Sequence, residues 1–342
     1  MKKLLIICAV LGFVFAVSGM AQAATLKVGP GKIYSTIQDA VDAAATGDKI
    51  TVENGIYSES VTVDGKDLSL IATGDNVIVS PMSCDDHGDA IQVYNGNVSV
   101  VGFIVDATNC LGGIYAKGGF TGYESVRLSA LNNTVHSYKK NGITVNGPEA
   151  YGHIQGNTVM GSGEIGVPYY AQNGIQFGFG GTGQALGNSV EGNWYTGPDW
   201  GATGILVFES DGVSIQDNTV TDCEMGVAVE AWGWFFPSAN HNIVMNNTIE
   251  GAQYGVSVAA YDWTYTFMDV FADNNKVVNN LIRYETDDGD TGIFVGVDND
   301  LLNTYAASAD NNKVIHNGID GYTTAIEEGG TEMKVHANVV SP

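Results

Sequence analysis

The sequence predicts an all-β protein that winds as a single parallel β-helix, with one amphipathic helix at its N-terminal end. Two short phrases alternate from about residue 89 to the end of the chain, both are typical of β-strands, and no helical pattern separates them. A period of about 30 residues indicates a solenoid, because each turn can bury its inner face only against its neighbours.

The first phrase is a small or polar residue, then Gly and Ile or Val, then an alternating apolar run. Its copies are Gly113–Ala116, Asn141–Val145, Asn173–Phe177, Thr203–Phe208, Met225–Val229, Tyr254–Val258 and Thr291–Val295. Each copy is short, rich in β-branched residues and alternates with a period of two, which is the pattern of a strand. With no helix between them, successive copies are expected to pair in parallel.

The second phrase is Asn, Asp or Gly, then Asn, then an apolar β-former. Its copies begin at Asn132, Gly156, Gly187, Asp217, Asn246, Asn274 and Asn311. The six intervals from Asn133 to Asn312 span 179 residues, a mean of about 30. Asn tolerates the left-handed backbone of a sharp corner, and its amide can bond to the Asn one turn away, so each copy predicts a corner of the solenoid.

Residues 25–80 contain the predicted helix and the first predicted turn. Ser35-Thr36-Ile37-Gln38 has the spacing of a capping box, and apolar residues from Ile37 to Ala44 share one helical face. Strands are expected at Thr25–Val28, Lys49–Glu53, Ser60–Val63 and Leu68–Ile71. Residues 25–50 would form a cap, since the first strand edge of a solenoid must be covered.

Residues 1–24 are predicted to be a secretory signal. Lys2 and Lys3 precede an apolar run from Leu4 to Val17, and small residues surround Gln22. The run is shorter than a membrane span requires. We therefore expect a secreted or periplasmic protein without a membrane span, whose mature part, residues 25–342, is one β-helix domain.

Charge narrows the choice of partners. The chain has 14 basic and 38 acidic residues, and two lysines would leave with the signal, so 12 would remain against 38. Such a surface repels nucleic acid and anionic membranes, so neither is expected as a partner. It also attracts a polyuronate poorly, and a neutral or weakly charged glycan is easier to accommodate.

Three cysteines remain outside the signal. Cys84 and Cys110 are 26 residues apart, close to one turn of the solenoid. Stacked turns lie about 4.8 Å apart, which is within the Cα separation that a disulfide accepts. An exported protein can keep a disulfide, so these two are predicted to pair, and Cys223 is predicted to be a buried free thiol.

The N-terminal segment resembles a known family. The runs Val28–Gly31, Tyr34–Ala44, Gly47–Ile50 and Gly55–Glu59 resemble the N-terminal cap of secreted right-handed parallel β-helix proteins of the pectin-lyase-like superfamily. The later repeats resemble the generic repeats of that superfamily over almost all of the remaining chain. The resemblance implies a right-handed parallel β-helix that acts on polysaccharides, as lyases, hydrolases, esterases and epimerases of that superfamily do. It implies no particular reaction, because no subfamily catalytic motif is complete and one fold hosts many activities.

A group of basic and polar residues lies on about two consecutive predicted turns. Its members are Lys117, Arg127, His136, Tyr138, Lys139, Lys140, Tyr151 and His153. Abstraction of a proton next to a uronate carboxylate needs a base and a cation or donor that holds the developing enolate. The candidate catalytic residues of a lyase or epimerase are Lys117, Arg127, His136 and Lys139. The alternative is a lightly charged, solvated corner.

A second group is aromatic. Its candidate substrate-binding residues are Tyr170, Trp194, Trp200, Phe208, Trp232, Trp234, Tyr261 and Trp263. The long inserts 231–240 and 260–273 leave the same side of successive turns and should form a wall. Sugars bury their CH faces on aromatic rings, so the wall predicts a glycan groove; packing of the inserts onto the barrel is the alternative.

Carboxylates accompany these rings in the sequence. They are Glu209, Asp211, Glu230, Asp262 and Asp298. Paired carboxylates can act as acid and base of a glycosidase, so Glu209 and Glu230 are candidate catalytic residues.

Two acidic segments, Asp287–Asp290 and Asp298–Asp300, are rich enough in oxygen to hold calcium. The candidate ligands are Asp287, Asp288 and Asp290. The alternative is a solvated loop, and no other cofactor is predicted. No capping helix is evident at the C-terminus, so its last turn is a candidate surface for self-association.

Two function classes follow. The first is an exported polysaccharide-active enzyme, either a lyase or epimerase at the basic residues or a hydrolase at the carboxylates. The second is a non-catalytic exported β-helix that binds a glycan or builds surface structure.

Overall fold

The structure is a computed structural model, and it describes residues 23–84, 88–122, 124–168, 170–198, 200–262, 268–284, 289–299, 306–329 and 333–341. The predicted signal lies almost wholly outside the described residues. Among the residues described, no helix has the length and apolar character needed to cross a membrane.

The described chain winds through three parallel sheets in a fixed order, so each full turn contributes one strand to sheets I, II and III. Sheet I contains β1 (Thr25–Val28), β2 (Lys49–Val52), β5 (Leu68–Ala72), β8 (Asn97–Val101), β11 (Val126–Leu131), β14 (Ala150–Gln155), β17 (Thr182–Leu186), β20 (Ser214–Gln216), β23 (Ile243–Met245), β27 (Lys276–Val278), β31 (Lys313–Ile315) and β34 (Lys334–His336). Sheet II contains β3 (Gly55–Tyr57), β6 (Val77–Val79), β9 (Ile104–Asp106), β12 (Thr134–His136), β15 (Thr158–Ile165), β18 (Ser189–Tyr195), β21 (Thr219–Thr221), β24 (Thr248–Glu250), β28 (Leu281–Arg283), β32 (Gly318–Asp320) and β35 (Val339–Ser341).

Sheet III carries the predicted Gly-Ile/Val strands. It contains β4 (Val61–Asp64), β7 (Asp89–Tyr94), β10 (Gly112–Lys117), β13 (Asn141–Asn146), β16 (Asn173–Gly178), β19 (Thr203–Phe208), β22 (Met225–Ala231), β25 (Tyr254–Asp262), β29 (Gly289–Asn299) and β33 (Tyr322–Glu328). A further parallel pair joins β26 (Val270–Phe271) to β30 (Ala307–Ser308). The prediction of an all-β parallel solenoid is therefore confirmed.

The core consists of inward side chains that stack like on like. One such column in sheet III contains Ile91, Ile114, Ile143, Ile175, Ile205, Val227, Val256 and Ile293. Every member is at most 1% exposed. Each buried Ile or Val contributes roughly 1.5–3 kcal/mol relative to an exposed one, so repetition of Ile or Val at this position stabilises the whole tube.

The helix α1 (Ile37–Ala43) lies where the sequence predicts it. Thr36 Oγ1 accepts a hydrogen bond from the backbone N–H of Asp39 over 3.1 Å. The Glu59 carboxylate accepts from the next two free N–H groups, those of Ile37 and Gln38, at 2.7 and 2.9 Å. Glu59 comes from the following turn, so this second cap is a tertiary contact that the capping-box pattern does not reveal.

The predicted early strands are present to within one residue at each end. Between the predicted strands Lys49–Glu53 and Ser60–Val63 the structure has a further strand, β3 (Gly55–Tyr57), that was not predicted. It pairs with Val77–Val79 in sheet II, so even a three-residue segment completes the turn.

At each Asn-led corner, the first residue adopts the left-handed backbone conformation and the second makes hydrogen bonds to a neighbouring turn. In Asn132-Asn133, the first residue has φ 54°, in the left-handed region, and the second is buried. Asn133 donates from its backbone N–H and its amide Nδ2 to Asn157 Oδ1 at 2.9 and 3.0 Å. The same arrangement continues through a ladder of Asn157, Asn188, Asn218, Asn247, Asn280, Asn317 and Asn338.

The last two predicted copies belong to a different corner. Asn275 and Asn312 stack with Asn242 at the entrance to sheet I, where backbone N–H groups donate to the next Oδ1 at 2.8 and 2.7 Å. The places that the sequence assigned to them in the first ladder are taken by Asn280 and Asn317. Both corners use the same local chemistry, which is why the sequence pattern does not separate them.

The cysteines lie as the sequence spacing predicts. Cys84 and Cys110 are disulfide-bonded with Cα atoms 4.9 Å apart. Cys223 is a free thiol inside the barrel, where burial raises its pKa to about 12. At that pKa it stays protonated, so it acts as a small apolar side chain.

Candidate functional site

The outer face of sheet III carries a groove of about 1150 Å³. Strands β13, β16, β19, β22, β25 and β29 cross its floor, and β33 borders it. Since alternate side chains of a strand point outward and the strands pair in register, the outward residues form ladders along the tube. The groove can therefore be described turn by turn.

In two of these ladders the polarity of the side chains changes along the tube. The first runs through Thr144, Gln176, Leu206, Ala228, Ser257 and Phe294. The second runs through Asn146, Gly178, Phe208, Glu230, Ala259 and Gly296. The floor is thus polar at β13 and β16 and apolar at β19, and Glu230 follows directly on this apolar stretch.

The polar end of the floor is an ordered amide network. Gln176 Nε2 donates to Asn146 Oδ1 at 3.1 Å, and Asn173 Nδ2 donates to Gln176 Oε1 at 2.9 Å. Asn173 Nδ2 also reaches Asn141 Oδ1 at 3.3 Å. These bonds fix the amide planes, so the groove presents oriented donors and acceptors rather than mobile side chains.

The middle of the groove holds an aromatic cluster. We define it as Trp200, Phe208, Trp232, Trp234 and Tyr261. The Trp200 and Trp232 rings stack with centroids 5.6 Å apart, and Trp232 and Tyr261 stack at 4.5 Å. Trp200 precedes β19 and Trp232 follows β22, so their contact joins the two sides of the groove across its floor.

Packing and an open aromatic surface both occur in this region. Trp232 and Phe208 are each 7% exposed, so their rings serve mainly to build the cluster. Trp200 and Tyr170 are 45% and 54% exposed and line the groove. They occupy equivalent segments of successive turns, which gives the groove two ring surfaces on which a sugar face could lie.

Glu230 is a buried carboxyl group in the groove floor, with 6% of its surface exposed. Trp232 Nε1 donates to its Oε2 at 3.0 Å, and Tyr261 also bonds to it through its side chain. Burial raises the pKa of Glu230 to about 7, although both hydrogen bonds and the charge of Lys140 oppose the shift. A carboxyl group of this pKa can deliver a proton near neutral pH.

Lys140 lies in the same groove and is the only cation among the described residues that line it. Its Nζ donates to the backbone oxygen of Ala171 at 2.5 Å. Burial lowers the pKa of Lys140 to about 8, and the negative charge of Glu230 opposes this shift. The groove therefore holds one acid and one amine that both titrate within reach of neutral pH.

Two carboxylates, the partly buried Glu224 and the buried Glu209, hold the walls in place. Glu224 accepts from the backbone N–H groups of Ala202 at 2.7 Å and Tyr195 at 3.3 Å, on either side of the segment that carries Trp200. Glu209 accepts from the consecutive N–H groups at residues 234, 235 and 236, at 2.5, 3.0 and 3.1 Å. Burial raises the pKa of both groups, and these hydrogen bonds oppose it. Glu209, a predicted catalytic residue, thus has its carboxylate engaged by the loop backbone.

The predicted basic candidates do not come together. Lys117 lies on β10 of sheet III, Arg127 on β11 of sheet I and His136 on β12 of sheet II. Lys139 is exposed in the turn before β13, and none of the four lines the groove. Neighbouring turns therefore brought these residues to similar heights along the tube but to different faces.

The remaining predicted residues divide as follows. Trp194 lies on β18 of sheet II, away from the groove lining, and Trp263 lies outside the described residues. Asp287 and Asp288 also lie outside them, whereas Asp290 accepts from Gln253 Nε2 at 2.5 Å. No cluster of three or more potential metal ligands occurs in the described ranges. Calcium binding stays a prediction.

Sequence reasoning missed part of the groove. Lys140 belongs to the basic group in the sequence, but the predicted catalytic candidate is its neighbour Lys139. Asn173, Gln176, Thr203 and Glu224 are not among the predicted site residues, although Asn173 and Thr203 open copies of the Gly-Ile/Val phrase. Their position at equivalent places in successive copies was the available signal, since equivalent places stack in a solenoid.

No family model matches the sequence, and no curated protein matches it. Solved structures do match the fold. An alginate lyase from Paenibacillus sp. str. FPU-7 is 14% identical, with a TM-score of 0.55 over 91% of this chain and 99% of that one. The periplasmic alginate epimerase AlgG is 11% identical, with a TM-score of 0.51 over 93% of this chain and 84% of the other.

A third match is XylC, solved in complex with xylose, which is 11% identical with a TM-score of 0.53. The alignment covers 89% of this chain and 69% of XylC. At these identities the likeness establishes the fold alone. The chain has the parallel β-helix fold that these three proteins share, as its resemblance to the pectin-lyase-like superfamily predicted.

Proposed function

We propose that this chain is an exported glycan-active protein that binds a polysaccharide or oligosaccharide in the groove of sheet III and hydrolyses it. The observation that carries the proposal is Glu230, a buried carboxyl group in the groove floor that is oriented by Trp232 Nε1. An acid with a raised pKa beneath sugar-binding rings has the properties of a glycosidase proton donor. The shared fold with an alginate lyase and an epimerase supports the polysaccharide class only as a fold-level analogy.

Protonated Glu230 gives its proton to the glycosidic oxygen as the bond from that oxygen to C1 breaks. A water molecule adds to C1 and gives up a proton to the carboxylate of Asp298, which lines the same groove. Exchange with solvent returns the proton to Glu230, and one water is consumed for each bond cleaved.

Lyase chemistry is the second candidate, because Lys140 can be neutral slightly above neutral pH and could take a proton from a sugar carbon. Such a reaction also needs a positive group that holds the uronate carboxylate. Among the described lining residues Lys140 is the only cation, so it would have to fill both roles. Hydrolysis by Glu230 makes no such demand and is favoured.

A glycan panel with three readouts tests these alternatives. Reducing ends that appear without unsaturated uronate, and vanish in Glu230→Gln, would support hydrolysis. Unsaturated product that vanishes in Lys140→Met would support a lyase and overturn the hydrolase. Binding without either product would leave the non-catalytic glycan binder. Glu191→Gln is the matched control, since Glu191 is an exposed carboxylate on sheet II.

We also propose that residues 1–24 direct export of the chain. Mass spectrometry of the mature N-terminus would test this.

Right-handed winding of the tube is expected from the handedness of parallel crossovers. Because α1 packs against β1, β2 and β4, at the first edges of sheets I and III, we propose that it caps the tube.

We also propose that the protein self-associates through the last turn of the tube. Strands β33, β34 and β35 end their sheets within the described chain, and Val339 and Val340 are exposed nearby. Light scattering of the wild type and Val340→Lys would test it, because a lysine on an edge strand opposes pairing. An unchanged molar mass in both proteins would argue against association.

A further inference from the structure

Two adjacent polar atoms of the groove are buried without a hydrogen-bond partner. Asn173 and Thr203 occupy paired positions on β16 and β19, about 4.8 Å apart, and are 2% and 1% exposed. In the described structure, Asn173 Oδ1 and Thr203 Oγ1 accept and donate no hydrogen bond. A buried polar group left unpaired is unfavourable, so a ligand that pairs both atoms gains affinity here.

The orientation of Asn173 is set by its neighbours. Its Nδ2 donates to Gln176 Oε1 at 2.9 Å and to Asn141 Oδ1 at 3.3 Å, so its Oδ1 is left as an acceptor. The Thr203 hydroxyl can donate as well as accept. A single sugar hydroxyl can donate to Asn173 Oδ1 and accept from Thr203 Oγ1, which an ether oxygen or a carboxylate cannot do.

The charge of the groove selects against uronates. The carboxylates of Glu224, Asp298 and Glu327 line it beside the carboxyl group of Glu230, and the described lining holds one cation, Lys140. The carboxylate of a uronate would be repelled by these like charges, because Coulomb repulsion is screened less in a partly enclosed groove than in bulk water. Lys140 Nζ already bonds to Ala171 O, so it offsets this repulsion incompletely.

We propose that the groove is selective for an uncharged pyranose glycan and that one of its hydroxyls bridges Asn173 Oδ1 and Thr203 Oγ1. The proposal rests on the function proposed above and adds its substrate class and a specificity contact. Trp200 supplies the open ring surface beside this pair, so one sugar unit can stack and hydrogen-bond at the same time. Asn173 and Thr203 bind the sugar and take no part in proton transfer.

Calorimetric titration of matched oligosaccharide pairs tests the substrate class. Each pair has the same linkage and differs only at C6: manno-oligosaccharide against oligomannuronate, galacto-oligosaccharide against oligogalacturonate, gluco-oligosaccharide against oligoglucuronate. For at least one pair the neutral member should bind about 10-fold or more tightly than its uronate, equivalent to about 1.4 kcal/mol. Added salt should narrow the gap, because it screens the repulsion.

Two variants test the contact with the neutral ligand that binds best. Thr203→Val keeps the shape and removes the hydroxyl, and it should weaken binding about 5- to 30-fold, the loss expected for a hydrogen bond at a buried site. The free energy of unfolding should stay equal or rise, because the lost atom has no partner in the described protein. Thr219→Val, at an exposed position on β21 of sheet II, is the control and should leave affinity unchanged.

The binding results distinguish a failure of the neutral-glycan proposal from a failure of the proposed glycan-active function. Equal or tighter binding of the uronate members overturns the substrate class but leaves a glycan groove. Unchanged affinity in Thr203→Val overturns the bridging contact. Failure of every pair to bind overturns the proposed function, and this inference falls with it.

Discussion

Trp232 Nε1 donates a hydrogen bond to Glu230 Oε2 at 3.0 Å, and Trp232 follows Glu230 by two residues in the chain. Alternate residues of a strand share one face, so this spacing places the indole beside the carboxyl group on the outer face of sheet III. The Trp232 ring also stacks on Trp200 at 5.6 Å. One side chain therefore orients the proposed acid and supports the open ring surface next to it.

Replacement of the proposed acid should abolish turnover without abolishing binding. Glu230→Gln keeps the size and the acceptor for Trp232 Nε1 but cannot deliver a proton. We expect kcat to fall about 10²- to 10⁴-fold with KM changed little, the range typical of a lost general acid. Steady-state reducing-end assays would measure both constants. Comparable losses in Glu191→Gln, an exposed residue that does not line the groove, would show that the effect is not specific to the acid.

The same carboxyl group should make stability depend on pH. Burial raises the pKa of Glu230 from 4.5 to about 7, so the folded protein holds this proton more tightly than the unfolded chain. The stabilising contribution is then complete below about pH 4.5 and is lost as pH rises through about 7. A shift of this size corresponds to about 3 kcal/mol.

Chemical unfolding at a series of pH values would measure it. The free energy of unfolding of the wild type, relative to Glu230→Gln, should decline across that window. Asp89, whose pKa burial also raises to about 7, should give the same trend when compared with Asp89→Asn. Parallel curves for wild type and variant would contradict the assigned environment of the carboxyl group.

The neighbouring residues Asn246 and Asn247 should respond oppositely to one substitution. Asn246 is exposed at φ 57°, where Gly is favoured, so Asn246→Gly should be neutral or stabilise by up to about 1 kcal/mol. Asn247 is buried and bonds to Asn280 Oδ1 and to Ile215 O at 3.0 Å. Asn247→Gly would leave several buried partners unpaired and should cost about 3 kcal/mol or more. Urea unfolding would measure the free energy of unfolding of both variants. Similar values for the two would contradict the assignment of the left-handed backbone to Asn246 and of the hydrogen bonds to Asn247.

Much of the fold was predictable because each turn of a solenoid repeats the same sequence pattern. The Gly-Ile/Val phrase places an inward column such as Ile143, Ile175 and Ile205, and every copy predicts the same strand. The two Asn corners were not separable, since Asn275 and Asn280 each follow another Asn and precede a short strand, and they differ in the sheet to which that strand belongs. That difference depends on the length of the intervening segments, which vary from turn to turn.

The site was predictable only in part, for a related reason. Sequence distance gives height along the tube but not the face, so Lys117, Arg127 and His136 were grouped although they lie on three sheets. Aromatic inserts and Glu230 were found because large rings beside a strand are conspicuous. The role of Glu209 in accepting loop N–H groups depends on a tertiary fold of residues 234–236 that no local pattern encodes.

Loss of the Glu224 anchor should loosen the wall that carries Trp200. The Glu224 carboxylate accepts from Ala202 N at 2.7 Å and Tyr195 N at 3.3 Å, and Glu224→Ala leaves both N–H groups without this acceptor. We expect faster hydrogen exchange at these two amides and glycan affinity reduced about 5-fold or more, because a mobile ring must be ordered again on binding. Exchange mass spectrometry and titration would measure the two effects. Glu191→Ala provides the matched control, since Glu191 is an exposed carboxylate on sheet II that lines no part of the groove. Unchanged exchange at Ala202 in Glu224→Ala would mean that packing of Trp200 against Trp232, rather than the carboxylate, holds this segment in place.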